Sequence, residues 1–315
     1  MKMKNIGMLF FCLFLILSAP MSVSAYDLPS VNLGFTSFLD GAPPSGPGFY
    51  FTQYIQLWTS DEFKDGNGDP LFPPAAGEDL EAWIFLSQLT YQSDTEILLG
   101  GKWGLDILVP YVKLDVDYDM AGPFPQDNGT GIGDIWVGPY LQWDPIMGDN
   151  GPIFMHRFSL GFVLPTGSYD SSKALNQGSN VFSFNPYWAG TYFFTPKWTA
   201  TTRIYYLLND ENDDPGPGLT NSKAGQAVHM NFASAYEVLP GKLRLGINGY
   251  YLKQISDSEQ DGDKIAGKEQ VFGIGPGLLF SLNKDAHFFI NVYKETSAEL
   301  RPEGTRVNLR FVGHF

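Results

Sequence analysis

Five of the six arginines in this 315-residue chain, Arg157, Arg203, Arg244, Arg306 and Arg310, each stand on one parity of a stretch whose other parity is apolar. Arg157 opposes Phe154, Phe158, Leu160, Phe162 and Leu164; Arg203 opposes Trp198, Ala200, Ile204, Tyr206 and Leu208; Arg244 opposes Leu243, Leu245, Ile247 and Tyr251. The same polar parity carries Asp106, Asp134, Glu237 and Glu295, with His229, Asn231, Asn248 and Asn291. Guanidinium, carboxylate and amide groups gathered on one side of a wall sort solutes by charge and hydrogen bonding. They also pair with one another and fill a narrow interior. The residue types leave both roles open.

Covalent chemistry has less support. An acyl-transfer site needs a serine or water beside a histidine whose ring a third group orients. His156, His287 and His314 fall at strand ends; His229 lies well inside a strand and shares a face with Asn231 and Glu237, with no His-x-Ser pairing near it. The run Asp65-Gly66-Asn67-Gly68-Asp69 opens like a calcium loop, but Pro70 and Ala76 occupy the positions that need Gly and Glu. Gly273, Gly275 and Gly277 around Pro276 lack the lysine and spacing of a phosphate loop and suit strand curvature or close approach of another segment. The expectation is therefore no catalytic residue, no metal ligand set and no cofactor.

Side chains that alternate in this way need strands to position them. Alternating segments of roughly ten residues recur at 47–58, 82–92, 97–113, 132–143, 152–164, 181–193, 197–208, 225–238, 242–254, 268–281, 286–296 and 305–315. Their connections alternate in length, long at 59–81, 114–131, 165–180, 209–224, 255–267 and 297–304, and short near Ser93, Pro145, Pro196, Pro240 and Lys284. In the last segment Val307, Leu309, Phe311 and Phe315 keep one apolar parity, broken only by Gly313, against Arg306, Asn308, Arg310 and His314. Beyond residue 25 no stretch approaches the roughly 20 apolar residues of a spanning helix. Strands cross hydrocarbon only when closed into a ring without edges. The sequence thus predicts an all-β protein, a transmembrane antiparallel up-and-down β-barrel of twelve strands over residues 47–315. An arginine facing lipid at mid-depth costs about 2–4 kcal/mol, which supports placing the arginine parity inside. Trp58, Trp143, Trp198, Tyr187 and Phe315 are expected in interfacial girdles, and Tyr205, Tyr250, Phe289 and Tyr293 inside.

Residues 1–25 have Lys2 and Lys4, an apolar run, and Val23-Ser24-Ala25 before Tyr26, the pattern of a cleaved secretory signal leading to the bacterial outer membrane. The only cysteine, Cys12, lies in that run, so the mature chain is expected to have no disulfide. Residues 26–46 do not alternate; Phe35, Phe38, Asp40, Pro43 and Pro44 suggest a compact segment folded into the lumen as a plug. Without Lys2 and Lys4 the formal charge falls from −14 to −16, which excludes a nucleic-acid partner held by charge. Much of the acid sits in the long connections, as in Asp61, Glu62, Asp65 and Asp69, in Asp210, Glu211, Asp213 and Asp214, and in Asp257, Glu259, Asp261 and Asp263. An acidic outer rim would meet lipid and lipopolysaccharide, directly by repulsion or through bridging cations. The terminal Phe315 is the feature expected to engage the barrel-assembly machinery.

The chain resembles the outer-membrane proteins of the phenol meta-pathway degradation family. The resemblance is carried in order by Ser37-Phe38-Leu39-Asp40-Gly41-Ala42-Pro43-Pro44, Pro47-Gly48-Phe49-Tyr50, Gly131-Ile132-Gly133-Asp134-Ile135 and Pro165-Thr166-Gly167-Ser168-Tyr169-Asp170. It continues through Gly249-Tyr250-Tyr251-Leu252-Lys253-Gln254, Gly275-Pro276-Gly277, and Glu295 with Arg301-Pro302-Glu303-Gly304. It implies a transport barrel for small hydrophobic or aromatic solutes and implies no catalytic residue. No energy-coupling box is evident near Tyr26, which points to movement down a gradient. A non-conducting structural or adhesive barrel, and an outer-membrane hydrolase, are the alternatives.

Overall fold

The computed structural model describes residues 28–42 and 46–315; the expected signal segment 1–25, its boundary at Tyr26, and Pro43 and Pro44 lie outside the described residues. Twelve antiparallel strands form one closed wall. They are β1 (Gly48–Ser60), β2 (Asp79–Leu98), β3 (Gly101–Asp117), and β4 in two pieces (Thr130–Ile132, Ile135–Gln142). Next come β5 (Gly151–Ser159, Phe162–Leu164), β6 (Ser183–Phe184, Tyr187–Phe193), β7 (Trp198–Asn209) and β8 (Ala227–Leu239). The last are β9 (Leu243–Gln254), β10 (Gln270–Ser281), β11 (Ala286–Glu299) and β12 (Thr305–His314). Each strand pairs with the next, and β12 returns to β1 in a continuous register from Tyr50 opposite His314 to Thr59 opposite Thr305. No edge strand is left in the wall, so its backbone groups are satisfied without water.

Alternation sorts the two faces as expected. On β9, Ile247 is 59% exposed on the outside while its neighbour Asn248 is fully buried inside. Phe158, Ile204, Tyr236, Phe288 and Leu309 form part of the outer apolar face, and Arg157, Arg306 and Arg310 are buried inside. Two expectations fail on this count. Trp58 and Tyr187 are not girdle residues but point inward and are buried; Trp58 shares its parity with Tyr54 and Gln56, whereas Ile55 and Leu57 look out. Trp198 and Phe315 are exposed, and Trp143 is half-buried with its indole N–H donating to the Leu99 carbonyl.

The turn expected near Ser93 is also displaced. Strand β2 continues through Ser93 with register shifts between Gln92 and Leu98, and the chain reverses at Leu99-Gly100, where φ is 51° and 75°. Two successive positive φ values are the geometry of a tight hairpin turn that favours Asn-Gly, and a leucine in the first place hid it. The ladders of β4, β5 and β6 are each interrupted, at Gly133-Asp134, Leu160-Gly161 and Asn185-Pro186. The Trp136 ring folds over the wall there, and a Cβ at Gly138 or Gly161 would collide with it.

One end of the barrel carries the short turns and the other the long connections 61–78, 118–129, 165–182, 210–226, 255–269 and 300–304. At the long-loop end Phe63, Phe72 and Ala76 pack with Trp58, Leu80 and Val116, joined by Tyr118, Phe124 and Leu175. A small sheet of Ser222–Lys223, Ser258–Gln260 and Asp263–Ile265 ties two of the loops together. The Asp65 carboxylate accepts backbone N–H bonds from Asn67 and Asp69, which hold it below the usual carboxylate range and close the turn on itself.

Candidate functional site

Residues 28–42 run through the barrel, held by wall side chains that would otherwise be stranded polar groups. The Asn231 amide accepts from the Gly34 N–H (2.9 Å) and donates to Asn32 Oδ1 (2.7 Å) and Thr36 Oγ1 (3.0 Å). Tyr293 and Asn308 both donate to the Gly34 carbonyl, Gln56 donates to the Leu33 carbonyl, and Asn291 donates to Ser37 Oγ. Thr201 and Thr191 accept from the N–H groups of Leu39 and Gly41. Such bonds satisfy a buried irregular backbone. Gly34 has φ 78° and a Cβ there would lie 2.7 Å from the Tyr293 ring, so glycine is required twice over.

Phe38 is seated where the wall is thin. Its neighbours are Ala233, Ala235, Leu279 and Phe289, and its ring lies against the paired glycines Gly246 and Gly277. The close approach expected around Pro276 is this contact. Asp40 completes the seating: its two carboxylate oxygens lie 2.6 and 2.7 Å from Nε and Nη2 of Arg203, whose guanidinium stacks on the Tyr187 ring at 4.2 Å.

A cavity of about 190 Å³ lies beside residues 30–36 toward the long loops. Its far wall is apolar: Leu80, Ala82, Ile84 and Leu86 from β2, Leu108, Pro110, Val112 and Leu114 from β3, and Val163. On the outside β2 also carries Phe85 and Leu89, so these strands are apolar on both faces, which alternation had not predicted. A second cavity of about 340 Å³ lies beside residues 38–42 toward the short turns, lined by Arg157, Arg203, Arg244 and Arg310 with Phe38, Tyr54 and Phe289. Tyr54, Gln88 and Arg203 line both. The Tyr54 hydroxyl donates to Gln88 Oε1 at 2.9 Å, and the Phe35 ring meets Tyr54 edge-on at 5.7 Å, so these four side chains stand between the two spaces.

The residues singled out in the sequence separate into groups. Arg157, with Asp106 at 3.9 Å, and Arg203, Arg244 and Arg310 surround the second cavity, with Glu237 bound to Arg244 at 2.7 Å. Asn231, Asn291 and Phe35 belong to the docking of the N-terminal segment, while Asn248 donates to the Gly275 carbonyl in the wall. Glu295 and Arg306 form a different unit. The buried carboxylate of Glu295 accepts from Arg306 Nε (3.0 Å), Trp58 Nε1 (2.8 Å), the Tyr250 hydroxyl (2.8 Å) and the Gly304 N–H (2.9 Å). So satisfied a carboxylate anchors the loop at 300–304. Arg301, which alternation placed in a loop, is buried there against Glu269.

Asp134 has a second task. It lines the first cavity on the parity expected of it and sits at the break in β4, where it accepts from the N–H groups of Gly167 and Ser179 and from the Ser179 hydroxyl, pinning a long loop. His229 is buried against the Tyr205 ring, centroids 4.2 Å apart, with Asn185 Nδ2 3.1 Å from Nε2. Sequence reasoning missed Tyr54 and Gln88 and the apolar inner face of β2 and β3. The parity of Tyr54 against Ile55 and Leu57 was a usable signal.

A family model described as "Putative MetA-pathway of phenol degradation" matches residues 60–311. Among solved structures, the COG4313 outer membrane channel from Pseudomonas putida F1 is similar at 18% identity, over 91% of this chain and 100% of that one, with a TM-score of 0.73. The beta domain of the Bordetella autotransporter Brka gives 12% identity, 85% and 100% coverage and 0.49. The TodX monoaromatic hydrocarbon channel deltaS2 mutant gives 11%, 87% and 91%, and 0.45. The first likeness shows the fold, and the other two carry no argument. No curated protein matches the chain.

Proposed function

The chain belongs to the family of the MetA-pathway of phenol degradation, and from that premise we propose that it is a passive outer-membrane channel for small hydrophobic or aromatic molecules. The observation that carries this reading is the apolar inner face of β2 and β3. A lumen that served only water and ions has no use for Ile84, Leu86, Leu108 and Val112, since apolar surface facing water is disfavoured by about 25 cal/mol per Å². An apolar solute replaces that water. It would enter among the acidic loops, rest against β2 and β3, and pass Phe35 and Phe38 toward Arg203, Arg244 and Arg310.

In this reading residues 26–46 act as a plug that moves aside, residues 1–25 as a cleaved export signal, and the lumen has no catalytic role for His229. The acidic loops face lipopolysaccharide, and Phe315 serves recognition by the assembly machinery.

The test is uptake of the apolar fluorescent probe N-phenyl-1-naphthylamine by cells expressing the protein. Ile84→Asp with Val112→Asp is expected to slow uptake about tenfold, the equivalent of about 1.4 kcal/mol, at equal amounts of folded barrel. Unchanged uptake would sink the reading.

A further inference from the structure

The second cavity contains one buried positive charge that no carboxylate of the wall balances. Arg203 has Asp40, Arg244 has Glu237 and Arg157 has Asp106. Arg310 is 5% exposed and faces the same space, its guanidinium carbon 3.5 Å from the centre of the Phe289 ring. Among the described residues it forms no ion pair, and its buried Nε has no hydrogen-bond partner. Lys242, exposed on a short turn at the cavity's edge, adds a further cation. A buried guanidinium without a counter-charge is unfavourable unless something polar reaches it. The cavity, about 340 Å³, is within the range of sites that hold small molecules. Phe38 and Tyr54 line it, and Tyr54 also lines the apolar space.

We propose that this cavity is a subsite for a small aromatic monocarboxylate, with its carboxylate on Arg310 and its ring beside Phe38 and Tyr54. One unbalanced guanidinium matches one negative charge, and its planar fork donates to both carboxylate oxygens at once. Among the described residues a second anionic group would find no free cation in the buried part of the space and would have to reach Lys242 on the exposed turn. The proposal rests on the uptake reading above and narrows it: a solute with a ring and an acid end meets the apolar lining of β2 and β3 first and the guanidinium second.

Equilibrium dialysis of the full chain in detergent with radiolabelled benzoate and radiolabelled benzyl alcohol tests this. The pair shares a ring and differs in charge. Benzoate is expected to bind about tenfold more tightly, Arg310→Met to bring benzoate binding down to the benzyl alcohol level, and Arg310→Lys to restore part of the difference. Folding of each variant is checked by heat-modifiable gel mobility. Equal binding of both probes by the unaltered protein, or full benzoate binding by folded Arg310→Met, overturns the subsite and leaves the uptake reading standing. Binding of neither probe overturns both. The comparison in the unaltered protein decides by itself should a variant not fold.

Discussion

Asp40 and Arg203 join a segment outside the wall to a strand within it, across 163 positions of sequence. Breaking such a buried pair by removing one partner costs about 3–5 kcal/mol, whereas removing both charges together is far milder. Asp40→Ala is therefore expected to loosen residues 28–42 more than Asp40→Leu combined with Arg203→Leu. Limited proteolysis of the N-terminal segment reads the difference, and equal loosening would mean that Phe38 and the backbone bonds hold it alone. The inward placement of Arg203 was legible because Ile204 and Tyr206 define the opposite parity. Its partner was not, because Asp40 belongs to a stretch with no period. The loop bonds of Asp134 were hidden for a related reason: it alternates correctly and lines the first cavity, but the ladder breaks at that very residue and frees its carboxylate to take the N–H groups of a loop.

At the level of strands, period 2 located all twelve, and errors gathered where turn chemistry is unusual. Ser93 and Asp94 have the composition of a turn, yet the reversal comes at Leu99-Gly100. Leu99 is 82% exposed and left-handed, a conformation that costs a leucine about 1–2 kcal/mol. Leu99→Asn is expected to stabilise the barrel by about 1 kcal/mol, seen as a higher urea midpoint in detergent. A lower midpoint would show that the leucine side chain is held in the lipid boundary. Strands β2 and β3 expose a second limit: where both faces are apolar, alternation reports a strand without saying which residues line the lumen.

For the molecule as a whole, residues 28–42 stand inside the ring of strands and are tied to it through side chains. Deleting 26–46 removes the hydrogen bonds to Asn231, Asn291 and Asn308, each worth about 0.5–1.5 kcal/mol net, but leaves every ladder of the wall in place. The shortened chain is expected to remain heat-modifiable and to show a larger conductance in planar bilayers. An unchanged conductance would mean that the loops packed over the mouth, not the segment, close the path. The pairing of β1 with β12 has a consequence of another kind. The seam joins strands that lie about 250 positions apart in the chain, and contacts so distant are slow to form. Until β12 arrives, eleven paired strands present a bare ribbon margin to any neighbour. Before that seam closes the chain is an open curtain, and its last strand is the latch.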